Sequence, residues 1–398
     1  MIEQVPFGEH YIEEPLMPPG KHIAQERFYK PELDVLRFFA FLAVFTRHAL
    51  PDRADAFGNG NAGAWIASIT RAGAFGVDLF FVLSAYLITS LLLREQERFG
   101  RLDVRGFYIR RVLRIWPLYF AFLALTTFIV PLVLPEQHTT WSEIGAFAVL
   151  GGNWWCAYVA FPKSAIALLW SVSIEEQFYL LWPPIVASLR SRGLVIACLV
   201  MAFLPTIVRL GLWQTQGSHM DGRWLWTATP VRLEPIALGI LLALIQTDRR
   251  RIESLMLRIG LALAGLIAIV SVSRFTQIID GSPTPAGATL GYPLVAVGCV
   301  LIVIAFDGLQ LDRLPAVLRV PLIELGKRSY GLYVFHLLTL SLVREWLLPG
   351  QTSNAGKMGT VVLAFVADVG LSWLSYRWLE TPFLRFKERF SRVRSRPV

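Results

Sequence analysis

Few side chains in this sequence can move a proton or hold an anion within apolar surroundings, and they fall at defined places. Arg37 and His48 both lie inside the apolar run Leu33 to Leu50. They are eleven positions apart, so at about 100° per residue they sit about 20° apart around a helix. At about 1.5 Å rise per residue they are about 16 Å apart along it. An ionisable group in a membrane span costs about 2.5–3.5 kcal/mol at mid-bilayer on insertion scales, so such groups turn toward an interior cavity. A cation near one mouth and an imidazole near the other describe a pore with two ends. Snorkelling of Arg37 and an end-of-helix position for His48 explain each residue alone, but not the aligned pair.

Other polar groups cluster in the same way. Asp78, Ser84 and Tyr86 are the polar members of the run Gly76 to Thr89, and Asp78 needs a cationic partner, with Arg47 and His48 near in sequence. Arg110, Arg111 and Arg114 share a helix face by their spacing, and converging guanidiniums bind phosphate in a bidentate manner. The positive-inside effect explains basic residues there but not so tight a grouping. Glu175 and Glu176 stand adjacent at the mouth of an apolar run, beside Trp170, Tyr179 and Trp182. These aromatics either stack on a sugar ring or form the interfacial belt. Arg232 and Glu234 fall at the external start of a later span, and Tyr330, Tyr333 and His336 follow i, i+3, i+6 spacing. The histidines have no metal-ligand spacing such as His-Glu-x-x-His, and no Walker loop or Gly-x-Ser-x-Gly elbow occurs. No metal is therefore expected.

The elements that must position these groups are membrane helices. Hydrophobic residues make up 55% of the chain and charged residues 17%, against about 25% charged in ordinary soluble domains. The net charge of +9 comes largely from arginines at the ends of apolar runs. That placement marks cytoplasmic loops rather than a nucleic-acid surface. Cys156, Cys198 and Cys299 are scattered and odd in number, so no disulfide framework follows. Apolar runs occur at roughly 33–50, 74–93, 115–134, 144–161, 176–189, 194–213, 228–247, 257–273, 290–306, 329–348 and 358–379. The segment between the first two is Gly/Asn-rich and suits the outside; the arginines from Arg94 to Arg114 suit the inside. All later basic clusters fall inside only if 144–161 and 176–189 together make one crossing. The reading is an all-α, polytopic membrane protein of about ten spans. Much of 140–175 is expected to be re-entrant or external, with Gly151 to Trp155 as the dip. Residues 1–30, acidic and proline-bearing with no apolar leader core, read as a cytoplasmic tail without a cleavable signal. Residues 31–382 read as one membrane domain and 383–398 as a basic cytoplasmic tail.

Several stretches together resemble the membrane acyltransferase-3 family of bacterial O-acyltransferases, over about Pro31 to Pro382. Arg37 and His48 are similar to the family's Arg-x10-His motif. Gly76-Val-Asp-Leu-Phe-Phe-Val-Leu-Ser84 matches a family element in which Ala85 replaces the usual Gly. Arg111 and Arg114 resemble its Arg-x-x-Arg pair. Trp170-Ser-Val-Ser-Ile-Glu-Glu-Gln-Phe-Tyr179, Ser329-Tyr-Gly-Leu-Tyr-Val-Phe-His336 and Glu380-Thr-Pro-Phe383 complete the series. The resemblance implies transfer of an acyl group, usually acetyl, from cytosolic acyl-CoA as co-substrate to a hydroxyl of a saccharide, glycolipid or glycosylated small molecule. It places the chain in the bacterial inner membrane, multi-pass, with both termini cytoplasmic. The esterase-like domain fused to some members is not expected, because the sequence ends soon after the last apolar run.

On that reading Arg111 and Arg114, with Arg110, would hold coenzyme A phosphates and Arg37 would guide the thioester inward. His48 would deprotonate the acceptor hydroxyl, with Glu175 or Asp78 orienting the imidazole or the acceptor. Trp170, Ser173, Arg232, Glu234, Tyr330, Tyr333 and His336 are the candidate acceptor contacts. Absence of an obvious Ser or Cys nucleophile favours direct transfer over an acyl-enzyme. Two rivals stand beside it. One is a polytopic glycosyltransferase using a lipid-linked sugar, with Asp52 and Asp55 as acid/base or metal ligands. The other is a glycolipid or glycan transporter with Arg37 and His48 lining its path, which the lack of an inverted repeat weakens.

Overall fold

The computed structural model describes residues 28–58, 60–217, 221–245, 252–276, 278, 284–349 and 354–393. Among them every regular element is helical. In chain order the α-helices are α1 (Pro31–Ala49), α2 (Asn61–Ala72), α3 (Gly76–Phe99), α4 (Val104–Ala124), α5 (Val130–Val133), α6 (Trp141–Ala148), α7 (Gly152–Tyr158), α8 (Leu169–Ser188) and α9 (Ser191–Gln216). They continue with α10 (Gly222–Thr227), α11 (Glu234–Ile245), α12 (Leu255–Phe275), α13 (Tyr292–Phe306), α14 (Ala316–Lys327), α15 (Ser329–Leu342), α16 (Asn354–Ser375) and α17 (Thr381–Lys387). Six helical stretches among the described residues are long and apolar enough to cross a membrane: Asn61–Phe99, Val104–Val133, Ser191–Gln216, Leu255–Phe275, Gly287–Phe306 and Ala355–Phe390. Helices α1, α8, α11 and α15, shorter or more polar, pack among them. The expected helical membrane protein is found.

Helix α1 is the axis of the bundle. Pro31 opens it, Glu32 and Asp34 occupy its first turn, and Arg47 and His48 its last, so the charges complement the helix dipole at both ends. It packs against α2, α3, α13, α14 and α15. Its Phe41 and Phe45 enter one apolar core while Leu36 and Ala40 enter another. Such contact on several sides needs small residues where backbones meet. A Cβ on Gly76 would overlap the Ala40 carbonyl, and one on Gly326 the Asp34 carbonyl. These two glycines let α3 and α14 close on α1. Away from the interior, helices such as α9 expose Ile196, Phe203 and Ile207, each more than half accessible, as a lipid-facing surface requires.

The segment expected to dip or lie outside the bilayer is built from short pieces. Helices α6 and α7 have 8 and 7 residues, or about 12 and 10 Å of length, too little to cross. Thr140 and Glu143 form a capping box that starts α6. Buried Asn153 of α7 donates to the Thr227 carbonyl at 3.1 Å, and Gln177 of α8 donates to the Asn153 side-chain oxygen at 2.9 Å. These bonds hold the segment against α8. The Gly/Asn-rich stretch after α1 differs from expectation: it becomes α2, whose Ala67, Ser68 and Thr70 are buried, and which packs on α12 and runs into α3. Its polar opening residues concealed the apolar stripe behind them. Of the two tails read from sequence, residues 1–27 lie outside the described residues. The start of the second is helix α17, which packs on α4; there Arg392 pairs with Asp103 at 3.7 Å.

Two buried ion pairs tie the other side of the bundle. Arg232 donates to Asp78 of α3 at 2.9 Å, with Arg232 and Asp78 each only 1% exposed. The Arg232 guanidinium also lies 4.6 Å from the Trp226 ring and 5.2 Å from that of Tyr292. Arg209 of α9 pairs with Glu234 at the start of α11 and donates to the Ala288 and Val231 carbonyls. Removing one partner of a buried pair strands a charge, at about 3–5 kcal/mol, whereas an apolar replacement of both is often neutral. Arg232→Met is therefore expected to lower the thermal midpoint of the detergent-solubilised protein sharply, and Asp78→Asn with Arg232→Met to restore most of it. A single variant as stable as the parent would show that this pair does not hold the bundle.

Candidate active site

The residues singled out from the sequence separate into two chambers along α1, not one channel. The first, about 150 Å³, is lined by Arg37 of α1, Ser84 of α3, Arg111 and Arg114 of α4, Glu175 of α8 and Tyr330 of α15 among others. The second, about 270 Å³, is lined by Arg47 and His48 at the far end of α1, with Trp170, Trp226, Tyr333 and Leu337. Val77 and Tyr333 line both. The Tyr333 and Ser171 hydroxyls are 2.7 Å apart, and Tyr333 also donates to the Leu168 carbonyl at 3.3 Å. A hydrogen-bonded tyrosine thus stands where the chambers meet. Arg37 and His48 stand toward opposite ends of α1, each lining one chamber rather than a single pore, and side chains from α3, α8 and α15 lie between the two spaces.

The Arg37 chamber is rich in cations. Arg37 lies 3.6 Å from Asp34, one turn below it. Glu175 accepts from Ser84 at 2.9 Å and from Tyr179 at 3.1 Å, so its carboxylate is fixed in the wall of this chamber. Of the roles expected for Glu175 or Asp78, orienting the imidazole or the acceptor, no hydrogen bond to His48 serves the first among the described residues. Among the described residues neither Arg111 nor Arg114 has an ion pair. Arg111 instead lies over the rings of Phe107 and Tyr179, at 5.3 and 5.8 Å. Arg110, grouped with them by spacing, departs: it donates to Glu95 at 3.1 Å and to the Phe390 carbonyl at 2.6 Å. The rotation of about 100° per residue turns it away from its neighbour Arg111. Two guanidiniums without an ion pair among the described residues, one of them over aromatic rings, can accept an anionic ligand without first breaking a salt bridge.

The second chamber places aromatic walls around one imidazole. His48 Nδ1 lies 3.0 Å from the Val44 carbonyl and 3.2 Å from Nε2 of His336. A carbonyl oxygen only accepts, so the His48 proton sits on Nδ1 and its Nε2 carries the lone pair. Trp170 and Trp226 approach each other at 6.2 Å between ring centroids. Such faces stack on sugar rings as well as on each other. Trp226 and Arg223, which also lines this chamber, escaped the sequence analysis; the only signal was the aromatic density of Arg223-Trp-Leu-Trp226 ahead of α11.

Other candidates are placed elsewhere. Asp78 is engaged by Arg232 rather than by His48, and Arg232 and Glu234 lie in the buried ion-pair network, lining neither chamber. Their charges are used to join helices, because each found its opposite across the bundle. Ser173 is fully buried and donates back to the Leu169 carbonyl at 3.1 Å. His336 is also fully buried and lies behind His48. Tyr330 lines the Arg37 chamber and donates to the Ile115 carbonyl at 3.1 Å. Asp52 and Asp55 are taken up by Arg47 and Arg53. No group of His, Cys, Asp and Glu among the described residues is arranged to hold a metal.

Comparison with known proteins gives the family. Residues 30–377 match the family described as "Acyltransferase domain". O-acetyltransferase OatA of Staphylococcus aureus, in strains NCTC 8325, COL and MRSA252, is 27% identical over 372 residues. That alignment covers 89% of this chain and 57% of OatA, so the chain spans little more than half the length of the curated relatives it matches. No solved structure matches the chain. The family match takes in both chambers and nearly every helix that builds them, and the chain belongs to the acyltransferase-3 family of membrane proteins.

Proposed function

We propose that the protein transfers an acyl group, acetyl in the first instance, from acyl-CoA to a hydroxyl of a saccharide or a glycosylated molecule. The observation that carries this reading is the pairing of two chambers on one helix: unpaired arginines in one, an imidazole with a free Nε2 in the other. Similarity to proteins named O-acetyltransferase supports the reaction class. The basic clusters around Arg94 to Arg114 support a cytoplasmic position for the Arg37 chamber and for both termini, in the inner membrane of a bacterium.

In this reading Arg111 and Arg114 bind the phosphates of coenzyme A bidentately, and Arg37 lines the route of the thioester arm. The acceptor enters the aromatic chamber, where the faces of Trp170 and Trp226 support a sugar ring. His48 Nε2 removes the proton of the acceptor hydroxyl as its oxygen attacks the thioester carbonyl carbon. The C–S bond breaks as the ester forms, and the imidazolium proton passes to the leaving coenzyme A thiolate, which departs as the thiol and leaves His48 neutral. Reaction needs the thioester carbon to pass the meeting point of the chambers, so the Tyr333–Ser171 hydrogen bond must yield when the donor is seated. Glu175, held by Ser84 and Tyr179, balances the arginine charge around the passage. Direct transfer accounts for every step with the groups present.

Two outcomes test the reading in detergent-purified protein, by thiol release from acetyl-CoA with an added saccharide acceptor. His48→Ala is expected to slow transfer by about 10²–10⁴-fold, the usual worth of a positioned base, while acetyl-CoA affinity stays at the parent value. Near-parental turnover would remove His48 from the mechanism. Arg111→Ala with Arg114→Ala is expected to raise KM for acetyl-CoA by about tenfold or more, each charge-assisted hydrogen bond being worth about 1.5–3 kcal/mol; an unchanged KM and affinity would sink the phosphate role.

A further inference from the structure

We infer that His336 is a positioning residue that dictates which nitrogen of His48 is free to act as base. The inference rests on the reading of His48 as the base of acyl transfer. It starts from a contact that no spacing argument anticipated: the rings of His48 on α1 and His336 on α15, 288 positions apart, with His336 Nε2 3.2 Å from His48 Nδ1 and ring centroids 5.1 Å apart. His336 is fully buried and lines neither chamber, so it touches no substrate. Its own surroundings settle its proton. Its Nδ1 lies 2.7 Å from the Tyr333 carbonyl oxygen, which can only accept. The proton of neutral His336 is therefore on Nδ1, and its Nε2 lone pair faces His48.

The same logic applies to the partner ring. His48 Nδ1 meets two acceptors, the Val44 carbonyl at 3.0 Å and His336 Nε2 at 3.2 Å, and its N–H is shared between them. No proton is left for a third place: His48 Nε2 stays bare. When Nε2 takes the acceptor proton, the imidazolium keeps both Nδ1 acceptors without any rearrangement. This is the task a carboxylate performs behind the histidine of a hydrolytic triad, carried out by a neutral ring. Among the described residues nothing else supplies it: Arg344 donates to the main-chain carbonyl of His48 at 3.0 Å, Arg47 pairs with Asp52, and Asp78 is held by Arg232. Phe41 and Phe45 press on the His336 ring at 6.0 and 6.4 Å between centroids and hold its tilt. The Tyr333 that stands between the chambers thus also lends its carbonyl to the relay, so the wall and the support behind the base are built from one turn of α15.

The test uses His336→Phe, which keeps a ring in the cavity but removes the acceptor, and His336→Gln, whose side-chain oxygen can accept from His48. In the full-length protein, His336→Phe is expected to lower kcat by about 10- to 100-fold, as loss of an orienting partner commonly does, with both KM values within twofold of the parent. His336→Gln is expected to recover much of that loss. Parental kcat in His336→Phe, or equal loss in two equally stable variants, would overturn the inference. A measurement free of substrate guards against misfolded variants: in protein labelled with ¹⁵N-histidine, the His336 Nε2 signal should shift on His48→Phe, and an unmoved signal would also overturn it. Turnover that survives His48→Ala would instead bring down the base reading and this inference together, a result recognisably different from the others.

Discussion

The cost of holding an ionised side chain away from water organises this molecule. A buried charge is stabilised by a partner or by a cavity, and two groups of side chains here show the two fates. Asp78 with Arg232 and Glu234 with Arg209 take the first, joining α3, α9 and α11 and clasping Tyr292 between two guanidiniums. Arg111 and Arg114 take the second. Arg111 and Arg114, which have no ion pair among the described residues, both line one chamber. The arginines that tie the bundle and those that face the chamber differ by the company kept, not by residue type.

Helix α1 converts that division into a direction. Its two ends serve different chambers, one cationic and one aromatic, and the small residues at its contacts bring three neighbouring helices close enough to wall them. Tyr333 and Val77 belong to both spaces. The Tyr333 and Ser171 hydroxyls are hydrogen-bonded where the two spaces meet, an interaction whose net worth is about 0.5–1.5 kcal/mol.

The second chamber shows how main-chain groups can fix the protonation of a buried ring. Two carbonyls, each one turn below its histidine, accept from His48 and His336, and among the described residues no carboxylate is hydrogen-bonded to either ring. A neutral relay avoids placing another charge in an apolar interior, where it would need a counter-ion of its own.

How much of this was legible in the sequence follows from the range of the interactions. Period and composition determined the helical membrane architecture, because one helix buries or exposes its faces by local rules. The alignment of Arg37 with His48 on α1 and the grouping of Arg111 with Arg114 on α4 are intrahelical facts and were readable for the same reason. Partners across helices were not. Asp78 was matched to the nearest cation in sequence and found Arg232 instead; Glu175 was offered to His48 and found Ser84 and Tyr179; Arg232 and Glu234 were placed at an acceptor site and proved to be bundle ties. His336 was grouped with Tyr330 and Tyr333 by spacing, yet it works behind His48, and Trp226 and Arg223 joined the aromatic chamber from a stretch with no motif. The amino-acid sequence by itself determined which groups had to avoid lipid and on which helix they stood. Only the tertiary structure decided which of them met, because those meetings depend on the approach and rotation of helices distant in the chain.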